Sequence, residues 1–358
     1  MIRTAKDNTD IFVRISIILF WIGLIALFLS IPSLINRWYT ERSISILAWP
    51  SVLNADFVQD FECKTGIKVR ITYFEHNEEL VVKMRSGAIK GYDLVMPADY
   101  VVTLLIREGA LKKIDHNRCT FWSNIDNRLQ NNDFDIGNLY TIPYAFSIYG
   151  IAFDTKQIGS ELAQNGWGLV FNNVNTNKSI GMIDDAREIA SIAAQYLYNA
   201  LPHDLTHDEW SGLKKMLQMQ KQHVTMYTDM RADYLLLSGA CSAVVTNSSE
   251  ISRITTQSNQ FTFFIPKEGS FWVIDSFVLP VTTTKEDLAY EFLNYLYRPE
   301  IIEKYVKKLG FSSALSKKFI ENSMLPYTSS LTAPDRLKFF DDSIPESQLS
   351  DLWIDLKS

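Results

Sequence analysis

Cysteine is scarce in this 358-residue chain: Cys63, Cys119 and Cys241 are the only three, and they lie far apart. So sparse a set excludes a zinc ribbon or a disulfide framework; one bridge at most could form, and buried apolar side chains are the better reading. Glycine is also sparse, 15 in all. There is no glycine-rich phosphate loop, no G-x-S-x-G elbow and no cysteine beside a histidine motif, so neither a bound nucleotide cofactor nor nucleophilic catalysis is expected. Positive charge is in deficit, with 35 Lys and Arg against 41 Asp and Glu and a formal net charge of -6. No basic stripe exists for a phosphate backbone, which excludes nucleic acid as the partner and modestly favours cationic ones.

What the chain does contain is apolar. At 47% hydrophobic and 21% charged it can bury a large core and is expected to divide into two globular units. From Ile15 to Ile35 the run ISIILFWIGLIALFLSIPSLI carries no charge, and roughly 20 such residues suffice to span a bilayer as a helix. Arg3, Lys6 and Arg14 precede it, which predicts a cytoplasmic N-terminus and export of everything beyond Arg37. The run ends in SIPSLINRWY, with Ser30 and Ser33 as its only small residues. That favours a retained inner-membrane tether over a cleaved signal.

Beyond the tether the hydrophobic period switches repeatedly between 2 and 3.6. SISILAW (from Ser43), IKVRITYF (from Ile67) and YDLVMP (from Tyr92) read as strands. Helices are predicted over Asn54 to Glu62, over EELVVKMRSG, over Tyr100 to Glu108, from Asp185, and over Glu209 to Gln222. The strand FWVIDSFVLP and the helix EDLAYEFLNYLY follow. Such alternation predicts an α/β fold on parallel sheet with both faces covered. The polar tail from Ser330 is expected to pack across one lobe.

Two clusters invite a chemical reading. His203 and His207 in HDLTHDE have the i, i+4 spacing of helical zinc ligands. Pro202 precedes them, however, and Thr206 with Glu209 makes a capping box for a helix starting after Thr206, so a metal is not expected. In IDDAREIASIAAQYL, Asp185 and Glu188 also have capping-box spacing, and both charges suit the positive end of a helix. On local grounds a cap is the better reading. A cleft hydrolase using the two as an acid/base pair is a weaker alternative, since no nucleophile or cofactor motif accompanies them.

The runs FVQDFECKTGIKV, YDLVMPADY, IREGALKKID, YTIPYAFSIYGIAFD, IDDAREI, PKEGSFWVIDS and YLYRPE change that balance. In order and spacing, from Ser43 to about Leu315, the chain resembles the periplasmic spermidine/putrescine-binding proteins of ABC-type polyamine transporters. The resemblance implies a two-lobed periplasmic-binding-protein fold with a ligand cleft between lobes that close by a hinge. Lobe one would take 43–147 plus 274–318, lobe two 148–273 plus 319–358, after an N-terminal signal or anchor segment over 1–42. It further implies a monomeric, periplasmic protein without catalysis or cofactor that delivers a di- or polyamine to an ABC permease.

Carried over residue by residue, Asp185 and Glu188 match the acid pair meeting one end of the ligand, and Asp275 the acid meeting an inner amine. Trp49 and Tyr100 match aromatic walls. Other positions depart from the family: Ala98 stands where a serine is usual, Thr246 and Val273 where tryptophans are usual, and Phe311 where a pocket tyrosine is usual. Trp272 could replace the ring lost at Val273 only if its strand is bulged or slipped. A C-terminal contributor to the pocket is expected at Asp341 or Asp342. Short amines such as putrescine are favoured slightly over spermidine because rings are missing; another cationic solute, or a sensor or adhesin module on the same fold, is the alternative.

Overall fold

The computed structural model describes residues 16–31, 42–159, 161, 164–172, 178–228, 231–316, 336–340 and 343–357. Residues 16–31 are helical, with apolar side chains such as Phe28 and Leu29 exposed. Among the described residues no helix is long and apolar enough to cross a membrane; both ends of the expected 15–35 span lie outside them.

The first sheet is parallel and small. Strand β1 (Ser43–Ala48) lies between β2 (Lys68–Tyr73) and β3 (Leu94–Val95), with Ser43 opposite Lys68 and Ile46 opposite Leu94. Ile44, Ile46, Leu47 and Ala48 are fully buried. The helices Ala55–Thr65, Asn77–Arg85 and Asp99–Arg107 follow the three strands.

The second sheet is organised around β4 (Ile142–Asp154), all 13 of whose residues are buried. Near its start β4 pairs antiparallel with β9 (Ser270–Phe277) and β10 (Ser312–Ser313). Farther along it pairs antiparallel with β7 (Ala243–Asn247) and β8 (Phe261–Phe264). The change of partner falls between Ile148, opposite Trp272, and Tyr149, opposite Asn247. Gly150 stands just beyond it, where an added Cβ would lie 2.5 Å from the Phe264 carbonyl oxygen and 2.7 Å from the Phe263 ring. Only glycine permits that approach.

From β7 the sheet continues in parallel pairings to β5 (Ile180–Met182) and β6 (Val224–Tyr227), and from β9 to β11 (Leu337–Lys338). The expectation of parallel sheet therefore holds within β1, β2 and β3 and around β5. It fails at β4, because a strand that crosses between packed units meets the strands on either side running the opposite way. The two sheets are joined where Val278 N–H donates to the Val95 carbonyl at 2.8 Å.

Motifs that do not reach the cleft have structural work. In PKEG, Gly269 has φ 95° and would place a Cβ 2.8 Å from the Arg336 carbonyl oxygen. Trp167 Nε1 donates to its carbonyl at 2.9 Å, and Gln195 Nε2 donates to that of Glu268 at 2.7 Å. In YLYRPE, the Tyr297 hydroxyl donates to the Pro143 carbonyl at 2.8 Å, and Pro299 opens the helix Pro299–Leu309. The Thr206–Glu209 capping box forms as expected; His203 lies in the preceding 3-10 turn and His207 on the helix, so the two share no helix face. All three cysteines are free, with Cys119 and Cys241 buried; Cys63 is exposed, contrary to the apolar reading.

Candidate functional site

Parallel strands open a crevice beyond their carboxyl ends, where loops converge. Here Trp49 follows β1, Glu75 and Asn77 follow β2, Ala98 follows β3, Asp185 follows β5 and Thr228 follows β6, and all of them line one cleft. Ser147, Tyr149, Thr246, Val273 and Asp275 add its inner wall from the crossover strands, and Glu250 reaches it from the helix Ser248–Gln257. The cleft holds about 830 Å³, part of it open to solvent.

Five carboxylates line this space, Glu75, Asp185, Glu188, Glu250 and Asp275, and no Lys, Arg or His does. An uncompensated run of acids in a partly desolvated cleft is costly unless a cation completes it.

The two acids at the head of the helix Ala186–Tyr198 play different parts. Asp185 is the N-cap: its Oδ1 accepts the Arg187 N–H at 2.7 Å and the Glu188 N–H at 3.0 Å. Its Oδ2 accepts the Tyr100 hydroxyl at 3.2 Å. The Glu188 Oε1 accepts the Tyr149 hydroxyl at 2.8 Å across from β4. Cap and cleft acid are thus two edges of one carboxylate, as the sequence permitted.

Asp275 lies on β9 opposite Ala145, in the regular part of that ladder. Burial, reinforced by the nearby Asp99 carboxylate, pushes its carboxyl up to about 8. Asp99 is itself fixed, accepting the Tyr100 N–H at 2.7 Å and the Ile274 N–H at 3.0 Å.

Of the positions named from sequence, Trp49, Ala98, Asp185, Glu188, Thr246 and Asp275 line the cleft. Tyr100 stands behind it, buried, with the Arg187 guanidinium 5.4 Å from its ring centre, so its contribution is the hydroxyl rather than an open face. Phe311 is fully buried, its ring centre 5.3 Å from that of Tyr144, and it is not part of the lining. Without a hydroxyl this ring has no reason to leave the core. Trp272 remains on the strand face opposite Val273, tilted against Phe339 with 5.2 Å between ring centres, and does not replace the missing tryptophan. Asp341 and Asp342 lie outside the described residues.

Sequence reasoning missed Glu75, Asn77, Tyr149 and Glu250. FEHNEE and TNSSE held a signal for three of them, polar residues directly after an apolar strand and before a helix, where crevice residues fall. Tyr149 had none, since an aromatic within a buried strand reads as core. Two buried polar atoms of the lining have no partner among the described residues: Trp49 Nε1 and Asn77 Oδ1.

Residues 56–319 match the family model described as bacterial extracellular solute-binding protein. The chain belongs to that family. Its members bind solutes and are not enzymes, which sets the hydrolase reading aside. Among relatives of this binding protein, the putrescine/agmatine-binding protein of Pseudomonas aeruginosa is 27% identical over 295 residues, 77% of this chain and 79% of that one. The putrescine-binding periplasmic protein PotF of Escherichia coli is 26% identical over 291 residues, 76% of this chain and 78% of that one. In fold, the solute-binding chain is similar to a solved structure described as a putative spermidine/putrescine ABC transporter from Listeria monocytogenes. The TM-score is 0.77 at 23% identity, covering 88% of this chain and 99% of the other. The two-lobed periplasmic-binding-protein fold is thereby established.

Proposed function

We propose that this protein captures a di- or polyamine of the putrescine and spermidine type outside the inner membrane and delivers it to an ABC permease. The observation that carries the reading is the set of five cleft carboxylates with no basic side chain in the lining. A polyamine is a chain of methylenes bearing ammonium groups, so acids meet its charges and rings such as Trp49 cover its carbons. Asp185 and Glu188 take one terminal ammonium and Asp275 an inner or opposite one. The names of the relatives support the same ligand class.

Lobe one comprises 43–147 plus 274–318 and lobe two 148–273 plus 319–358, working as a monomer. The partner change of β4 between Ile148 and Tyr149 supports that division. Residues 15–35 tether the protein to the inner membrane, a reading supported by the exposed apolar side chains of the helix over 16–31.

Calorimetric titration of the full-length protein with putrescine, spermidine, cadaverine, arginine and lysine tests the reading. Heat with amines and none with the amino acids is expected; no heat with any amine overturns it. A second cationic class is favoured by one observation, the unpartnered Trp49 Nε1 donor, which would suit a ligand also carrying an acceptor oxygen. Preferential binding of the amino acids would decide for that class.

A further inference from the structure

The side-chain amide of Asn77 has one engaged end and one orphan end. Its Nδ2 donates to the Tyr100 hydroxyl oxygen at 2.7 Å, and that hydroxyl donates to Asp185 Oδ2 at 3.2 Å. A phenol carries one proton, and an ionised carboxylate only accepts, so the proton lies toward Asp185 and the phenol oxygen must accept from Asn77. The direction of this relay fixes the amide, because the reverse orientation would set two acceptors face to face.

Oδ1 is consequently the end without a partner. It is buried and unbonded among the described residues, Asn77 as a whole is 8% exposed, and the residue lines the cleft. Leaving an amide oxygen desolvated and unbonded is unfavourable unless a donor arrives. The donors a cationic ligand brings are N–H groups.

We propose that Asn77 is a ligand-binding residue that selects the end group: its Oδ1 accepts one N–H of a terminal primary ammonium or guanidinium while Asp185 accepts another. The inference rests on the cationic-amine reading above and adds to it a neutral acceptor beside the charged one. A primary ammonium has three donors and satisfies both oxygens together. A tertiary ammonium has a single N–H and leaves one of them buried and unbonded. Asn77 also steadies Asp185 through Tyr100, so the loss of the amide removes an acceptor and loosens the acid.

The test is calorimetric titration of the full-length protein with putrescine and with N,N,N′,N′-tetramethylputrescine, for the parent, Asn77→Ala and Tyr100→Phe. The parent is expected to prefer putrescine strongly. Asn77→Ala is expected to lose about tenfold or more in putrescine affinity, the worth of one hydrogen bond to a charged group, with much less change for the tetramethyl compound. An equal loss for both compounds, as a purely structural residue would give, overturns the proposal, as does no loss. Should Asn77→Ala fail to fold, Tyr100→Phe breaks the same relay with a minimal change of shape, and an undiminished preference for the primary amine there overturns the proposal. Absence of binding of either compound by the parent is a separate outcome that overturns the amine reading itself.

Discussion

The Asp99 carboxylate accepts the Ile274 N–H at 3.0 Å, one residue before Asp275 on the same strand. A fixed buried acid therefore sits behind the acid assigned to an amine, and it opposes ionisation of Asp275 until a cation arrives.

Binding should be linked to proton release. With the Asp275 carboxyl raised to about 8 by burial and by Asp99, the empty protein holds a proton there at neutral pH, and an arriving ammonium expels it. Affinity is expected to rise with pH up to about 8 and then level off. Titration calorimetry at pH 6.5 in buffers of different ionisation enthalpy should show proton release approaching one per ligand. In Asp275→Asn the release should vanish and binding should weaken.

The same group affects stability with a definite sign. Its native carboxyl lies above its unfolded value of 3.8, so between about pH 4 and 8 the native state holds more protons than the unfolded one. Stability of the empty protein should fall as pH rises through that window. Asp275→Asn should flatten this dependence in denaturation midpoints measured from pH 5 to 8.5.

Asp185→Asn separates cap from cleft. Asparagine caps helices about as well as aspartate, so a stability change below ~1 kcal/mol is expected. Loss of the charge opposite an ammonium should weaken amine binding about ten- to a hundredfold. Glu188→Gln should weaken binding similarly. Equal affinity in both variants would return the stretch to a simple helix start.

Glu75 is exposed at the mouth of the cleft. Charges so placed act mainly on encounter rates and are screened by salt. Glu75→Gln should slow amine association at 10 mM salt and have little effect at 150 mM, as stopped-flow fluorescence from Trp49 would report.

Gly150→Ala should destabilise without touching a carboxylate. A methyl at 2.5 Å from the Phe264 carbonyl must push β4 and β8 apart, at a cost of about 1 to 3 kcal/mol. The denaturant midpoint measures it.

Much of the fold was legible in the chain because period and punctuation are local. The helix after Thr206 begins where its capping box says, and the helix after Asp185 where its acids say. The YDLVMP run was less faithful, with only Leu94–Val95 paired as strand, since β3 ends as soon as the chain turns into the cleft. The 13-residue β4 carried no sign of its direction, because antiparallel or parallel pairing depends on which distant strands it meets.

The site divides in the same way. By itself the sequence determined the acids Asp185, Glu188 and Asp275, the scarcity of basic partners, and the loss of rings at Thr246 and Val273, since residue type and strand alternation are properties of the chain. Only the tertiary structure decided that Tyr100 spends its hydroxyl on Asp185, that Phe311 stays in the core, and that Glu75, Asn77 and Glu250 join the cleft. Those facts depend on which loops meet beyond the carboxyl ends of separate strands, and no local spacing encodes the meeting of residues 75, 185 and 250. What only the assembled fold provides is one shared, partly dry volume, and that volume turns a scattered set of acids into a site requiring a cation.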